Sequence, residues 1–211
     1  MYYWNEFIRD INKNIFDNAV VFDAGAGDSH WRKNLPTNIK YISMDLGVGD
    51  VNVDYSNLDI SGDLRNIPLP DNSVDIVICI QVLEHLPQPW RVIEELHRIL
   101  KSGGKIFASC PQGEPQHQVP YDFYRYTVYG LRSIFEQYDF KIDFIIPQTG
   151  NFAKIKNDIY HSANIMKESH KRIQAVTLKI MGRILFLIFG ANDSDTHFQT
   201  NTVGHFIQAT K

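Results

Sequence analysis

The sequence predicts an α/β fold built on a doubly wound, mostly parallel β-sheet. Apolar runs typical of buried strands alternate along the chain with amphipathic helical segments, which is the pattern of such sheets. The first strand runs through Val21 and Phe22 into a glycine turn at Gly25 and Gly27. A turn of this kind, at the carboxyl end of a first parallel strand, is where open α/β sheets bind nucleotide-like ligands.

Composition narrows the class of protein. The 211 residues suffice for one domain, expected to span residues 1–211, and the 44% of hydrophobic residues is typical of a soluble chain. A net charge of −3 argues against nucleic acid as a partner. Cys79 and Cys110 are expected to be reduced, and the N-terminus lacks a signal-peptide pattern, so a cytoplasmic location is expected. The cysteines and histidines show no metal-ligand spacing, so no metal site is expected.

The separate elements follow from periodicity and from helix-end signals. An N-terminal extension, residues 1–18, is expected to contain a helix over residues 2–16, whose apolar face carries Tyr3, Phe7, Ile8 and Ile11. Further helices are expected after the glycine turn, at 89–100 before Gly103, and at 128–138 behind Thr127 as cap. Strands are expected at 19–23, 39–44, 73–80, 103–109, 140–146 and 203–209.

A hydrophobic segment precedes the last strand, as a helical insertion over residues 160–190. Lys179 and Arg183 interrupt its apolar run over 173–189, which we expect to leave it too short to span a membrane. Arg172, Lys179 and Arg183 fall on one helical face. Two interpretations stay open: the helix packs on the protein's own body or on a dimer partner, or it lies on an anionic membrane or covers a lipid-like substrate.

The glycine turn favours a ligand without phosphates. Dinucleotide-binding turns carry a third glycine where this chain has His30, and Asp28 places a negative charge where a pyrophosphate would lie. Asp45 ends the second strand, where an acid can accept hydrogen bonds from both hydroxyls of a ribose. Asp63, in the next loop, can accept from an adenine amino group.

Taken together, these motifs resemble those of class I S-adenosylmethionine-dependent methyltransferases of the small-molecule type. The resemblance runs from about residue 19 to residue 147. The matching motifs are Asp23, Gly25 and Gly27; Asp45; Gly62-Asp63; Asp75-Ile76-Val77; Leu83-Glu84-His85; and Arg98 to Gly104. Ser29 departs from the family pattern, which often has a further glycine there.

This resemblance implies S-adenosylmethionine as cofactor and a Rossmann-like doubly wound seven-stranded sheet, mostly parallel with the last strand antiparallel and with helices on both faces. The turn formed by Asp23, Ala24, Gly25, Ala26 and Gly27 would hold the methionine end. Asp45 and Leu46 would hold the ribose, and Asp63 and Leu64 the adenine. Ile80 and Gln81 would line the methyl donor.

A block after the fifth strand is expected to cover the substrate, as a lid over residues 111–127. It is similar to a block in bacterial methyltransferases of surface-saccharide gene clusters. Its expected substrate-binding residues are His117, Tyr121, Asp122, Tyr124 and Arg125. The alternative is structural: an Asp122–Arg125 ion pair and a Thr127 cap.

The function expected from these motifs is methyl transfer to a small polar acceptor, such as a sugar or a saccharide or glycolipid intermediate. His85 and His117 are the candidates for a general base, should the acceptor be a hydroxyl. His85 has an alternative role in packing its own turn. The competing hypothesis is a catalytically inactive, cofactor-binding scaffold or partner protein of the same fold.

Overall fold

A computed structural model describes residues 4–48, 53–194 and 200–211. Its strands are β1 Val20–Ala24, β2 Lys40–Asp45, β3 Ile60–Ser61, β4 Val74–Ile80, β5 Leu100–Pro111, β6 Lys141–Pro147 and β7 Gly204–Thr210. Its α-helices are α1 Trp4–Asn14, α2 Pro89–Ile99, α3 Val128–Glu136, α4 Asn151–Glu168 and α5 Arg172–Phe189. Short 3₁₀ helices cover His30–Asn34, Leu83–His85 and Gly190–Ser194. Tyr3, predicted on the apolar face of α1, lies outside the described residues.

The seven strands form one sheet in the order β3-β2-β1-β4-β5-β7-β6. β7 pairs antiparallel with both β5 and β6, while the pairs from β3 to β5 are parallel. The predicted doubly wound sheet with an antiparallel last strand is confirmed. The strand order reverses between β1 and β4, so the chain leaves these neighbours in opposite directions and opens a crevice at their carboxyl ends.

Side-chain alternation along the strands builds a separate core on each face of the sheet. Phe22 and Val77 lie in the core beneath α2 and α3. Their chain neighbours Val21 and Ile76 point the other way and pack with Phe7 of α1. Burying a large apolar side chain contributes about 1.5–3 kcal/mol. Both cores therefore hold the strand ends at fixed positions.

The helix expected after the glycine turn is a short 3₁₀ helix, His30–Asn34. Two local features prevent a longer helix. Ser29 is left-handed, with φ of 59°, and Leu35 is extended because it precedes Pro36. The Asp28 side chain accepts hydrogen bonds from the backbone and ring nitrogens of His30, at 3.1 and 2.8 Å. The segment after β1 is therefore a compact turn.

Other boundaries differ only slightly from the prediction. β5 begins at Leu100, and Gly103, with φ of +78°, lies inside it, beside a register irregularity opposite Val74 and Ile76. Thr127 caps α3 as predicted, because its hydroxyl accepts a hydrogen bond from Gly130 N at 3.1 Å.

The insertion before β7 is a hairpin of α4 and α5, which begins at Asn151 rather than at residue 160. The two helices approach closely through small residues. Ala175 and Gly182 of α5 are buried, and a Cβ at Gly182 would lie 2.8 Å from Ile159 Cγ2 of α4. The large apolar side chains of α5 face outward and are exposed: Ile173 (84%), Val176, Ile180, Ile184 and Leu187 (82%). The described part of the chain does not cover this stripe.

Segment Arg172–Asp193 is, by length and composition alone, apolar enough to cross a membrane. This contradicts the expectation that Lys179 and Arg183 leave the run too short. Core helices of soluble proteins meet the same criterion, but such helices are mostly buried, whereas 11% of this segment is buried.

Candidate functional site

A cavity of about 350 Å³ opens at the carboxyl ends of β1, β2 and β4. The predicted cofactor residues that line it are Gly25, Gly27, Asp45, Leu46, Asp63, Leu64 and Gln81. Asp23, Ala24, Ala26 and Ile80 are not part of its lining. Lining residues that sequence reasoning missed include Val53, Tyr55, Arg65, Val82 and Phe123. They lie in loops without periodicity, where the aromatic or charged character of Tyr55, Arg65 and Phe123 offered a signal and the two valines offered none.

The glycine turn is held by close packing and by two backbone hydrogen bonds. Gly25 has φ of +74°, and a Cβ there would lie 2.4 Å from Val82 Cγ2, so a side chain fits neither the backbone nor the space. The N–H groups of Gly25 and Ala26 both donate to Met44 O of β2, at 2.8 and 3.1 Å. The predicted turn is therefore present, and it fixes the floor of the cavity against β2.

Asp45 connects two glycine turns at the cavity edge. One carboxylate oxygen accepts from Gly27 N at 3.0 Å, and the other accepts from Gly47 N at 2.8 Å. A carboxylate oxygen can accept more than one hydrogen bond, so both oxygens keep capacity for ligand hydroxyl groups. Asp45 is thus held in place by the backbone while it lines the cavity.

Asp63 is paired with Arg65 at the opposite end of the cavity. The Arg65 guanidinium donates to Asp63 Oδ2 at 2.6 Å, and Arg65 N donates to Oδ1 at 2.8 Å. The hydrogen bond from the Arg65 side chain lowers the pKa of Asp63. The carboxylate is therefore charged and rigidly oriented.

Asp23 supports the site from below. Its carboxylate is buried and accepts a hydrogen bond from the Tyr41 hydroxyl. Burial raises the pKa of Asp23 from 3.8 to about 6, although the Tyr41 hydrogen bond opposes that shift. The acid of the glycine motif is therefore part of the packing beneath the turn.

This burial predicts a pH-dependent stability. Between pH 3.8 and about 6, the Asp23 carboxyl group is protonated more often in the folded protein than in the unfolded protein. The contribution of Asp23 to the free energy of unfolding therefore falls as the pH rises through that range. We expect Asp23→Asn to remove this pH-dependent part of the free energy of unfolding, which is on the order of 3 kcal/mol. Urea unfolding at pH 4 and at pH 7 should show the variant gaining stability relative to the parent at the higher pH. A relative stability independent of pH would contradict the assigned burial.

Asp122 and Arg125 build the lid. Asp122 accepts from both terminal nitrogens of Arg125, at 2.6 and 2.8 Å, and from His117 N at 2.9 Å. Arg125 also donates to Glu114 O and Pro115 O, both at 2.9 Å. The Asp122 side chain is 2% exposed, and Arg125 lowers its pKa strongly. Asp122 and Arg125, both predicted to bind substrate, thus form the structural ion pair that was predicted from the sequence as their alternative role.

The tyrosines of the lid have different positions. Tyr121 lines the first cavity, whereas the Tyr124 hydroxyl donates to Pro87 O at 3.3 Å and lines neither of the two cavities described here. Phe123 N donates to the backbone oxygen of Glu84 at 2.8 Å. These contacts fix the lid on the Leu83–His85 turn.

His85 and His117 come together where the first cavity meets a second one of about 650 Å³. Their ring centroids are 4.8 Å apart, with the rings at 86°. His85 lines both cavities and His117 lines the second. Burial lowers the pKa of His85, which keeps the imidazole neutral and able to accept a proton. The two predicted bases therefore share one site.

Glu84 is a site residue that the sequence did not single out. Its side chain is fully buried, and neither carboxylate oxygen has a hydrogen-bond partner among the described residues. Oε1 lies 3.8 Å from His85 Nε2. Burial raises the pKa of Glu84 to about 8. The only sequence signal was its place in the Leu83-Glu84-His85 motif.

Comparison with known proteins gives three kinds of match. Residues 22–108 match a family described as a methyltransferase domain. A probable S-adenosylmethionine-dependent methyltransferase of Mycolicibacterium smegmatis is 35% identical over 97 residues, covering 43% of this chain and 37% of that protein. A ubiquinone biosynthesis O-methyltransferase of Pseudomonas paraeruginosa is 35% identical over 66 residues, covering 31% of this chain and 27% of that protein.

Solved structures extend the similarity to the whole fold. A phosphoethanolamine N-methyltransferase 2 of Haemonchus contortus, in complex with S-adenosyl-L-methionine, has a TM-score of 0.58 at 15% identity. The alignment covers 99% of this chain and 52% of that one. The matches to these curated relatives thus span well under half of each relative's length. The similarity in fold, in contrast, includes the lid and the α4–α5 hairpin.

Proposed function

We propose that the chain is a class I S-adenosylmethionine-dependent methyltransferase and that it methylates a hydroxyl group of a small polar acceptor, a sugar or a saccharide or glycolipid intermediate. The observation that carries this proposal is the meeting of two cavities at His85. One has the loops of a nucleoside site, and the other has room and polar groups for an acceptor. The methyl group would pass across their junction.

The first cavity fits S-adenosylmethionine, the cofactor of this family. Gly25 and Gly27 put no side chain between the backbone and the cavity, which suits the methionine end. Asp45 offers acceptor capacity for ribose hydroxyls, with Leu46 beside it, and Asp63 and Leu64 close the end assigned to adenine. Gln81 lines both cavities and would lie beside the reacting methyl group.

The chemistry needs positioning and one proton acceptor. S-adenosylmethionine supplies a methyl group on a positively charged sulfur: a C–O bond forms as the C–S bond breaks, the bonding electron pair stays on sulfur, and the hydroxyl proton leaves. His85 or His117 takes up that proton, because each imidazole has its Nδ1 against a carbonyl oxygen and a lone pair on Nε2. The lid lies beside the junction, where it would limit the access of water to the reacting groups.

The lining of the second cavity supports a polar acceptor. It includes amide, hydroxyl and imidazole groups that can donate to or accept from sugar hydroxyls: Gln116, Gln148, Thr149, Asn157 and His161. Large aromatic side chains contribute little to it, apart from Trp4. This composition favours a hydroxylated, weakly apolar compound over a planar aromatic one.

The test measures release of S-adenosylhomocysteine from the purified chain with S-adenosylmethionine and panels of nucleotide sugars, lipid-linked sugars, catechols and amines. We expect release with sugar acceptors, lowered by His117→Asn. Release of S-adenosylhomocysteine with catechols or amines alone would contradict a sugar acceptor and would assign one of those compounds as the acceptor. Tight cofactor binding without release on any panel would favour the inactive scaffold.

We further propose that the α5 stripe lies on the anionic surface of the cytoplasmic membrane. Small residues face α4 and large apolar ones face outward, the reverse of a helix packed on a soluble core. Residues 151–189 carry seven lysines and arginines against two acidic residues, although the whole chain has a net charge of −3. Cys79 and Cys110 are buried free thiols, which suits the reducing cytosolic side.

Flotation with vesicles tests this surface. The parent chain should float with vesicles containing phosphatidylglycerol and much less with pure phosphatidylcholine. Replacing Ile180 and Leu187 together by asparagine should abolish flotation. Tyr129→Asn, at an 81% exposed aromatic position on α3, should leave it intact. A dimer that the double variant disrupts, with no flotation of the parent, would assign the stripe to a second copy and refute the membrane proposal.

A further inference from the structure

Three potential metal ligands meet at the junction of the two cavities, although they come from two separate segments. Glu84 and His85 lie in the short helix after β4, and His117 lies in the lid. One ligand atom from each residue lies within 4.8 Å of the others. No spacing rule reveals this set, because the lid returns to it from a distant part of the chain.

A hydrogen bond at Nδ1 orients each imidazole and leaves a lone pair on Nε2 for a metal. His85 Nδ1 lies 2.5 Å from Tyr121 O, and His117 Nδ1 lies 3.0 Å from Pro115 O. A carbonyl oxygen can only accept, so each Nδ1 carries the proton and each Nε2 keeps a lone pair. Metal-bound histidines are usually held in this way, with the other ring nitrogen donating to a carbonyl or carboxylate.

Glu84 supplies an independent observation that points to a cation. Its carboxylate is fully buried, and neither oxygen has a hydrogen-bond partner among the described residues. A buried carboxylate without partners is costly, and a cation removes that cost. Arg125, the nearest lid cation in the described residues, already has its terminal nitrogens on Asp122, Tyr124 O and Pro115 O.

We propose that Glu84, His85 and His117 bind one divalent first-row transition-metal ion, for which Zn²⁺ is the probe. Two imidazoles and one carboxylate are the donor set of many such sites, in which an open position accepts water or substrate. Because His85 and His117 both line the second cavity, the open position faces it.

The ion has a chemical role if the proposed function holds. A hydroxyl oxygen bound to the open position would have a lowered pKa, and its proton would pass to solvent through the second cavity. The imidazoles then act as ligands, and the acceptor is oriented by the ion beside Gln81, which lines both cavities. This part rests on the methyl-transfer proposal, whereas ion binding does not.

Binding requires a modest contraction of the cluster. In a tetrahedral site with Zn–N bonds of about 2.0–2.1 Å, ligand atoms are roughly 3.3 Å apart. The three side chains must therefore approach one another from their present spacing. His117 can follow, because it lies in a loop between β5 and α3.

The experiment titrates Zn²⁺ into the chelator-treated full chain by calorimetry, and Co²⁺ by visible absorption. We expect one ion per chain, with affinity at least ~10-fold lower in His117→Asn and in Glu84→Gln. His161→Asn, at another histidine of the second cavity, should bind like the parent. S-adenosylmethionine affinity should be unchanged in His117→Asn, which confirms that this variant is folded.

The outcomes separate this inference from the proposed function. Stoichiometric binding that depends on His117 and Glu84 supports the ion site even if no acceptor is methylated. Absence of stoichiometric binding, or equal loss in His161→Asn, refutes the site even if methyl transfer is observed. A Co²⁺ spectrum unaffected by His117→Asn likewise refutes the site.

Discussion

Replacing Gly25 by alanine is expected to lower the free energy of unfolding by about 2–5 kcal/mol and to abolish S-adenosylmethionine binding. Two costs add at this position. A non-glycine residue is strained at φ of +74°, and the new Cβ would lie 2.4 Å from Val82 Cγ2, within the packed floor of the cavity. Either the turn or Val82 must move, and both line the first cavity. Urea unfolding and cofactor calorimetry measure the two effects.

Gly103→Ala provides the matched control. Gly103 has a similar φ of +78°, but a Cβ there would meet nothing within 4 Å. The Gly103→Ala variant should therefore lose only the free energy of unfolding that backbone strain costs, about 1–2 kcal/mol. Its affinity for the cofactor should be unchanged. Equal losses of stability in both variants would mean that the contact with Val82 contributes nothing.

Replacing Asp122 by asparagine is expected to lower the free energy of unfolding of the lid by about 2–3 kcal/mol, somewhat less than for a fully buried pair because Arg125 is partly exposed. The variant loses a charged, two-bond partner of Arg125 and weakens the bond from His117 N. The lid then opens more often. Hydrogen exchange of residues 112–127 should therefore be faster.

Glu136→Gln is the control for the loss of an ion pair. Glu136 pairs with Arg132 on the surface of α3, where both side chains are nearly half exposed. An exposed pair contributes about 0–1 kcal/mol, so this change should leave lid exchange untouched. If Asp122→Asn exchanged no faster than Glu136→Gln, the lid would not depend on the buried pair.

The sequence predicted the sheet and the glycine turn well for identifiable physical reasons. Residues such as Val21 and Phe22 alternate between two apolar cores, and Gly25 meets a backbone requirement that few other residues satisfy. Such constraints are local, so they leave a readable pattern. The resemblance to a known family then supplied the number of strands and the antiparallel last strand, which no local pattern contains.

The lid and the hairpin were less predictable because their roles depend on distant contacts. Asp122 and Arg125 were expected among the substrate ligands, and the fold pairs their side chains with each other. Glu84 and His117 meet because the lid folds back onto the Leu83–His85 turn, where Phe123 N donates to the backbone oxygen of Glu84. In α5, periodicity alone does not tell whether the large apolar side chains face the protein or the solvent. They face outward because α4 packs closely against the small residues Ala175 and Gly182.

The central claim is that the glycine-turn cavity binds S-adenosylmethionine, and calorimetric titration of the purified chain tests it most directly. The titrants are S-adenosylmethionine, S-adenosylhomocysteine and, as a negative control, NAD. Asp45→Ala is titrated in parallel, with Asp71→Ala as a control at an exposed acid outside the cavity. We expect saturable binding of the first two ligands and none of NAD. Affinity should fall by about 10- to 100-fold in Asp45→Ala only, since hydrogen bonds to a charged group are lost. Binding unaffected by Asp45→Ala, or no binding of either ligand, would contradict the account.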